Sequence, residues 1–128
     1  MSALPCPCGS GSPYRDCCGP LLRGESPAAT AEALMRSRYT AYVRRDEAYL
    51  LRTWEASHRP AALEMDDDAW LGLEVLATEA GGADDREGIV VFVARYQDQA
   101  GVVAEVRERS RFARQAGEWL YVDGETHP

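Results

Sequence analysis

The stretch from Gly88 to Arg114 reads GIVVFVARYQDQAGVVAEVRERSRFAR, and its alternation decides the fold. Its first part is apolar on both faces, with Ile89, Val91 and Val93 on one and Val90, Phe92 and Ala94 on the other. Strands covered on both sides read this way. Gln97-Asp98-Gln99-Ala100-Gly101 is a turn signal. Beyond it Val102, Ala104, Val106, Glu108, Ser110 and Phe112 share one face, while Glu105, Arg107, Arg109 and Arg111 share the other. Working outward, Gly81-Gly82 and Gln115-Ala116-Gly117 mark further turns, so the pattern predicts strands near 71–80, 87–97, 102–114 and 118–123.

The N-terminal half has a different period. From Thr30 onward Leu34, Met35, Arg38, Ala41 and Tyr42 recur at three- and four-residue steps, the inner face of an amphipathic helix. Asp46 is placed to cap a second helix running through Tyr49, Leu50 and Trp54. Residues 55–69 are polar, and their Asp66-Asp67-Asp68 run reads as a solvated loop or helix start rather than a cation site. Helices followed by consecutive hairpins give an α+β fold, with helices packed on one face of an antiparallel sheet.

That inner face carries misplaced polar residues. Glu108 and Ser110 lie among apolar strand positions, Arg38 interrupts the helical stripe, and Asp123 aligns with Trp119 and Tyr121 if no bulge intervenes. Buried charges need partners. The expectation is that Arg38 meets Glu108, Asp123 or both.

All four cysteines fall between residues 6 and 18, in CPCGSGSPYRDCCG, and none follows. Neither Cys6 with Cys8 nor the adjacent Cys17 and Cys18 closes an easy disulfide. Four soft sulfurs on a tight turn suit a tetrahedral metal ion, zinc first and iron second. Gly9 and Gly11 can take positive φ and bring the backbone round. Ser12-Pro13 reads as an N-cap and first helical position, leading to a short turn that carries Cys17 and Cys18 and stops at Gly19-Pro20. Tyr14 either covers the ion on one side or is an ordinary surface tyrosine. With Cys6, Cys8, Cys17 and Cys18 all ligating, no open position remains, so the ion is structural. Residues 19–29 read as a linker, dividing the chain into a knuckle at 1–24 and an α+β domain at 25–128.

Composition narrows the function classes. The chain has 128 residues and a net charge of −7, which argues against generic nucleic-acid binding. Its cationic residues are all arginine. Arg36, Arg44, Arg45 and Arg52 form a basic stretch that leaves weak RNA binding as a third reading, but Glu32, Asp46 and Glu47 interleave with it, and a solvated helix surface is the better account. No apolar run approaches the ~20 residues of a membrane span. The first residues lack the basic flank and apolar stretch of a signal peptide. A cytoplasmic protein is the expectation.

The cysteine unit resembles the SEC-C motif, the metal knuckle at the C-terminus of the translocation motor SecA, in both spacing and Gly-Ser-Gly turn. Here the last ligand is Cys18, where the motif takes histidine or cysteine. That resemblance implies contacts with proteins, since the SecA knuckle is implicated in chaperone and ribosome binding. LMRSRYTAY, WLGL, VVFVARY, ERSRF and WLYVDG resemble the YchJ-like family, which joins a SEC-C knuckle to a nuclear transport factor 2-like domain. The resemblance spans Cys6 to about Gly124. Some members carry a second cysteine knuckle near the C-terminus, whereas this sequence has no cysteine after Cys18.

The implied fold is a cystatin-like, nuclear transport factor 2-like cone, in which a curved sheet wraps around helices. Folds of this kind often accept a small ligand. Arg38, Tyr42, Glu108, Ser110, Tyr121 and Asp123 are the candidate pocket. An isomerase or dehydratase would use Glu108 or Asp123 as base and Arg38, Tyr42 or Tyr121 as electrostatic stabiliser. His58 and His127 fall in weakly patterned segments, and no phosphate cradle or nucleophile elbow appears. The balance favours an adaptor that recognises a protein through its knuckle. The outer face of strand 87–97 needs a cover, either the knuckle or a second copy of the chain, and sheet-face pairing in related folds favours a homodimer.

Overall fold

The computed structural model describes residues 4–63, 65 and 68–127. Asp66 and Asp67 of the acidic run lie outside the described residues. Three helices precede a four-stranded antiparallel sheet: α1 Cys18–Leu22, α2 Ala31–Arg44, α3 Glu47–Arg52, then β1 Ala69–Ala80, β2 Glu87–Gln97, β3 Val103–Gln115 and β4 Glu118–His127. The strands follow chain order across the sheet. The last strand runs on through Gly124–His127, past the boundary the sequence suggested.

Local chemistry sets the helix boundaries. The Thr30 hydroxyl accepts from the Ala33 amide at 3.0 Å and starts α2. The Asp46 carboxylate accepts from the Tyr49 amide at 3.0 Å and starts α3. Between them Arg45 turns the chain with φ 58. Helix α2 buries Leu34, Met35, Ser37, Arg38, Tyr39, Thr40 and Ala41 between the sheet, the knuckle and α3. Its first residue docks on the β1–β2 turn, where the Ala31 amide donates to the Gly81 carbonyl at 2.9 Å. After α3 the chain pairs with β4, as the Tyr121 amide donates to the Thr53 carbonyl and the Glu55 amide to the Tyr121 carbonyl, both at 2.8 Å.

Bulges curve the sheet into its cone. Two interrupt the β1–β2 ladder, at Leu71 and Leu76, and a third interrupts β3–β4 between Arg111 and Phe112, opposite Val122. An extra residue in one strand bends it and raises its local twist.

On the outer face of β2, charged side chains from the neighbouring strands lie across the apolar row. Arg109 of β3 reaches over β2 to Glu79 of β1 at 3.3 Å, and Arg95 pairs with Glu105 at 2.8 Å and with Glu74 at 3.9 Å. Beneath these side chains Val93 is only 3% exposed, while Ile89 and Val91 are half-buried. Arginine stems cover apolar surface while their heads stay in water, an option that alternation alone does not reveal.

Candidate metal centre and cone cavity

The knuckle folds differently from the expected helix-and-stop, although its ligands converge. Cys6 and Gly9 close a turn through the Gly9 amide and the Cys6 carbonyl at 3.2 Å, and Gly9 and Gly11 take φ of 79 and 89. Ser12 caps no helix; its carbonyl accepts from the Cys6 amide at 2.9 Å. Tyr14–Asp16 make one tight turn after Pro13. Gly19-Pro20 then lies inside α1 rather than ending it. Proline is tolerated there because first-turn amides have no intrahelical acceptor. Gly19 must be small: a β-carbon on it would lie 2.9 Å from the Tyr14 carbonyl oxygen. The segment at 19–29 is therefore part helix, not simply linker.

The sulfurs of Cys6, Cys8, Cys17 and Cys18 all lie within 4.8 Å of one another. Cys8–Cys17 is 3.6 Å and Cys17–Cys18 is 4.0 Å. Thiolates at ~2.3 Å around a tetrahedral ion sit roughly 3.8 Å apart, so the donor set fits such an ion. As free thiols the four share charge unevenly. The Cys18 thiol, donating to Cys8, and to a lesser extent Ser10 and Cys6, hold Cys8 down to about 4 against its burial. Cys18 is pushed far up by the same hydrogen bond and by burial, and Cys17 is pushed up mainly by burial. Four thiolates this close repel one another, so only a cation lets all four ionise together.

Helix α2 supplies the surroundings. The Thr40 hydroxyl, fully buried, donates to the Cys18 sulfur at 3.4 Å and lies 3.7 Å from Cys6. Arg36 donates to the Cys8 carbonyl at 2.7 Å while pairing with Glu32 at 3.0 Å. A divalent ion with four thiolates carries two net negative charges, which a hydroxyl donor and a nearby guanidinium offset. Tyr14 is half-buried with the Arg44 guanidinium 4.5 Å above its ring. Cys6, Cys8 and Cys18 belong to the same buried cluster as Leu34, Leu50 and Phe92, so the knuckle is built into the core. Sequence reasoning missed Thr40 and Arg36. The available signal was their four-residue spacing, which puts two polar groups on one helical face.

On the concave side of the sheet lies a cavity of about 250 Å³, lined by Arg38, Tyr42, Glu108, Ser110 and Tyr121 together with Trp54, Trp70, Phe92 and others. Asp123 is not part of it. The Val122 bulge reverses the alternation of β4, so Asp123 faces outward and holds Arg111 at 2.6 Å. That pairing holds the Asp123 carboxyl below its usual range.

The expected Arg38 ion pair is also absent among the described residues. Arg38 donates instead to the Leu50 carbonyl at 2.8 Å and the Thr53 hydroxyl at 2.7 Å. Its guanidinium lies 4.6 Å from the Tyr121 ring centre and 5.1 Å from that of Trp54. Backbone, hydroxyl and π faces take the place of a carboxylate. Glu108 accepts from Ser110 at 2.5 Å and lies against Gly124, where a β-carbon would come 2.5 Å from its carboxyl carbon. Burial pushes Tyr121 up strongly and Tyr42 up as well, keeping both phenols neutral. His58 is on the surface, 2.8 Å from Glu55.

Fold and cysteine cluster together define a knuckle-bearing α+β protein of the nuclear transport factor 2-like type. The chain belongs to the YchJ family: the YchJ middle NTF2-like domain matches residues 30–124, and the SEC-C motif matches residues 4–20. It is 51% identical over 121 residues to a UPF0225 protein of Streptomyces avermitilis, covering 94% of this chain and 83% of that one. UPF0225 protein SCO1677 of Streptomyces coelicolor is 48% identical, with 98% of both chains covered. Among solved structures, RPA3114 of Rhodopseudomonas palustris, a SEC-C motif containing protein, superposes with a TM-score of 0.84 at 38% identity, covering 96% of this chain and 98% of that one. A SEC-C motif containing protein from Psychrobacter arcticus gives 0.77 at 25% identity, covering 100% and 84%. No described helix is long and apolar enough to cross a membrane.

Proposed function

We propose that the chain is a cytoplasmic adaptor in which a structural zinc knuckle, residues 1–24, presents a rigid surface to a protein partner and the cone, residues 25–128, carries it. The observation behind this reading is the polarity of the knuckle. Its inner sulfurs sit on α2, while the connecting turn, including Gly9, Ser10, Gly11, Ser12, Arg15 and Asp16, is exposed. A four-sulfur site has no position for water or substrate, so the ion shapes a surface rather than a reaction. A reducing compartment keeps such thiols available for metal.

Catalysis is the weaker reading. Of the two carboxylates considered as bases, Asp123 lies on the wrong face, and Glu108 is tied to Ser110. RNA binding is weaker still, because Arg36, Arg44 and Arg52 are engaged with Glu32, Tyr14 and Tyr49.

The test is affinity capture with three proteins: the intact chain, a Cys8→Ser/Cys17→Ser variant, and an Asp16→Arg variant that keeps every ligand. A partner held by the intact chain and lost by both variants supports recognition through the knuckle surface. A partner held equally by all three contradicts it.

A further inference from the structure

We propose that the cone binds a small aromatic carboxylate bearing a hydroxyl or amino group, with its carboxylate on Arg38 and its donor on Glu108. This inference is independent of the adaptor reading and starts from an incomplete set of hydrogen bonds. Arg38 is only 6% exposed, yet both of its hydrogen bonds leave from one terminal nitrogen, to Leu50 and Thr53. Its Nε and its other terminal nitrogen have no acceptor among the described residues, and no carboxylate lies within 4.0 Å. A guanidinium has five donors in a fixed fork, and the fork matches a carboxylate.

Those two nitrogens are not sealed in. Among the described residues the fully enclosed polar side-chain atoms without a partner are the indole nitrogens of Trp54 and Trp119. The idle donors of Arg38 therefore keep some access to solvent, and Arg38 is one of the residues that line the cavity. The cation is also fixed in place, clamped by Leu50 and Thr53 and set against the rings of Trp54 and Tyr121. Burial lowers its pKa, the cost of a charge lacking full compensation. An anion would supply the missing partner.

The walls select the rest of the ligand. Trp54, Trp70, Phe92 and Tyr121 give the cavity flat apolar sides, which suit a ring stacked edge or face on. Glu108 supplies a second, negative pole, beyond ion-pair distance from Arg38 and oriented by Ser110 and Gly124. A ligand that satisfies both poles needs an acid at one end and a donor at the other. The volume of about 250 Å³ is below the ~300–1,000 Å³ of drug-sized sites, so the ligand is small, on the order of ten non-hydrogen atoms.

The experiment titrates the metal-loaded chain with para-hydroxybenzoate, benzoate and para-hydroxybenzamide, reading tryptophan fluorescence and calorimetric heat. Saturable binding of para-hydroxybenzoate is expected, with benzoate weaker and the uncharged amide weaker by about tenfold or more. Arg38→Lys, which keeps the charge but loses the fork, is expected to weaken the acid by about tenfold. Equal affinity for acid and amide, or no saturable binding of the acid at millimolar concentration, overturns the proposal. The ligand series decides the matter on the unaltered protein even if the Arg38 variant does not fold.

Discussion

The knuckle and the cone cavity both gather polar groups inside an apolar shell, but they resolve the problem in opposite ways. In the knuckle four sulfurs within 4.8 Å complete a single closed donor set, with Thr40 and Arg36 behind it. In the cavity Arg38 is held by two acceptors and keeps donors to spare. One site is a donor set that a single ion would close, with no need to leave. The other is fixed in geometry and incomplete in bonding, which is the condition for binding something reversibly. The contrast separates a closed site, which suits a permanent ion and the adaptor surface proposed around it, from an open one, which suits the proposed small ligand.

The largest expected effect concerns the knuckle. Structural zinc in isolated knuckle peptides contributes ~10–16 kcal/mol of apparent binding energy, and here three of the ligands are core residues. Stripping the metal with a chelator is expected to cost on the order of 5 kcal/mol of stability, read as a lower and broader melting transition. An unchanged transition would erase the distinction between the two regions.

Next in size is the cavity cation. Arg38→Met removes two hydrogen bonds and two ring contacts, for about 2–3 kcal/mol by denaturant titration. Adding Glu108→Gln is expected not to restore stability, because the two residues form no ion pair. A coupling energy above ~1 kcal/mol in that cycle would return Arg38 to the role of a buried ion-pair partner.

How far each region can be read from sequence follows from how it is assembled. The four ligands lie within thirteen consecutive positions, Cys6 to Cys18, so spacing alone reports their convergence. The cavity draws on α2, the segment after α3, and all four strands, and a single extra residue reassigns its members. Asp123 shows this: alternation from Trp119 and Tyr121 places it inside, and the Val122 bulge turns it out to Arg111. Nothing in the local residue pattern announces that bulge. The strand positions were legible because alternation and glycine turns agree there, whereas Gly19-Pro20 misled because a stop signal and a first-turn proline look alike in sequence.

Smaller effects sharpen the comparison. Thr40→Val keeps the shape of the side chain and deletes the donor to Cys18, and it is expected to weaken metal binding by ~10–100-fold with the fold retained. A competition titration against a chromophoric chelator measures this directly. Last comes a surface pair outside both regions, with Glu55 itself partly buried. His58, then Ser57, hold the Glu55 carboxyl down to about 2. A depressed carboxylate stabilises the fold above its ordinary pKa, and that contribution is lost as pH falls from about 4.5 towards 2. Glu55→Gln is therefore expected to flatten the acid limb of the stability profile slightly, while leaving metal content and ligand binding unchanged.

The most direct test of the account is the intact mass of the chain under native conditions, with its thiols counted on the same sample. The account predicts about one tightly held metal ion per chain, four cysteines protected from alkylation, and their simultaneous release when the metal is removed. A metal-free chain that keeps its fold, with all four thiols open to alkylation, would contradict it.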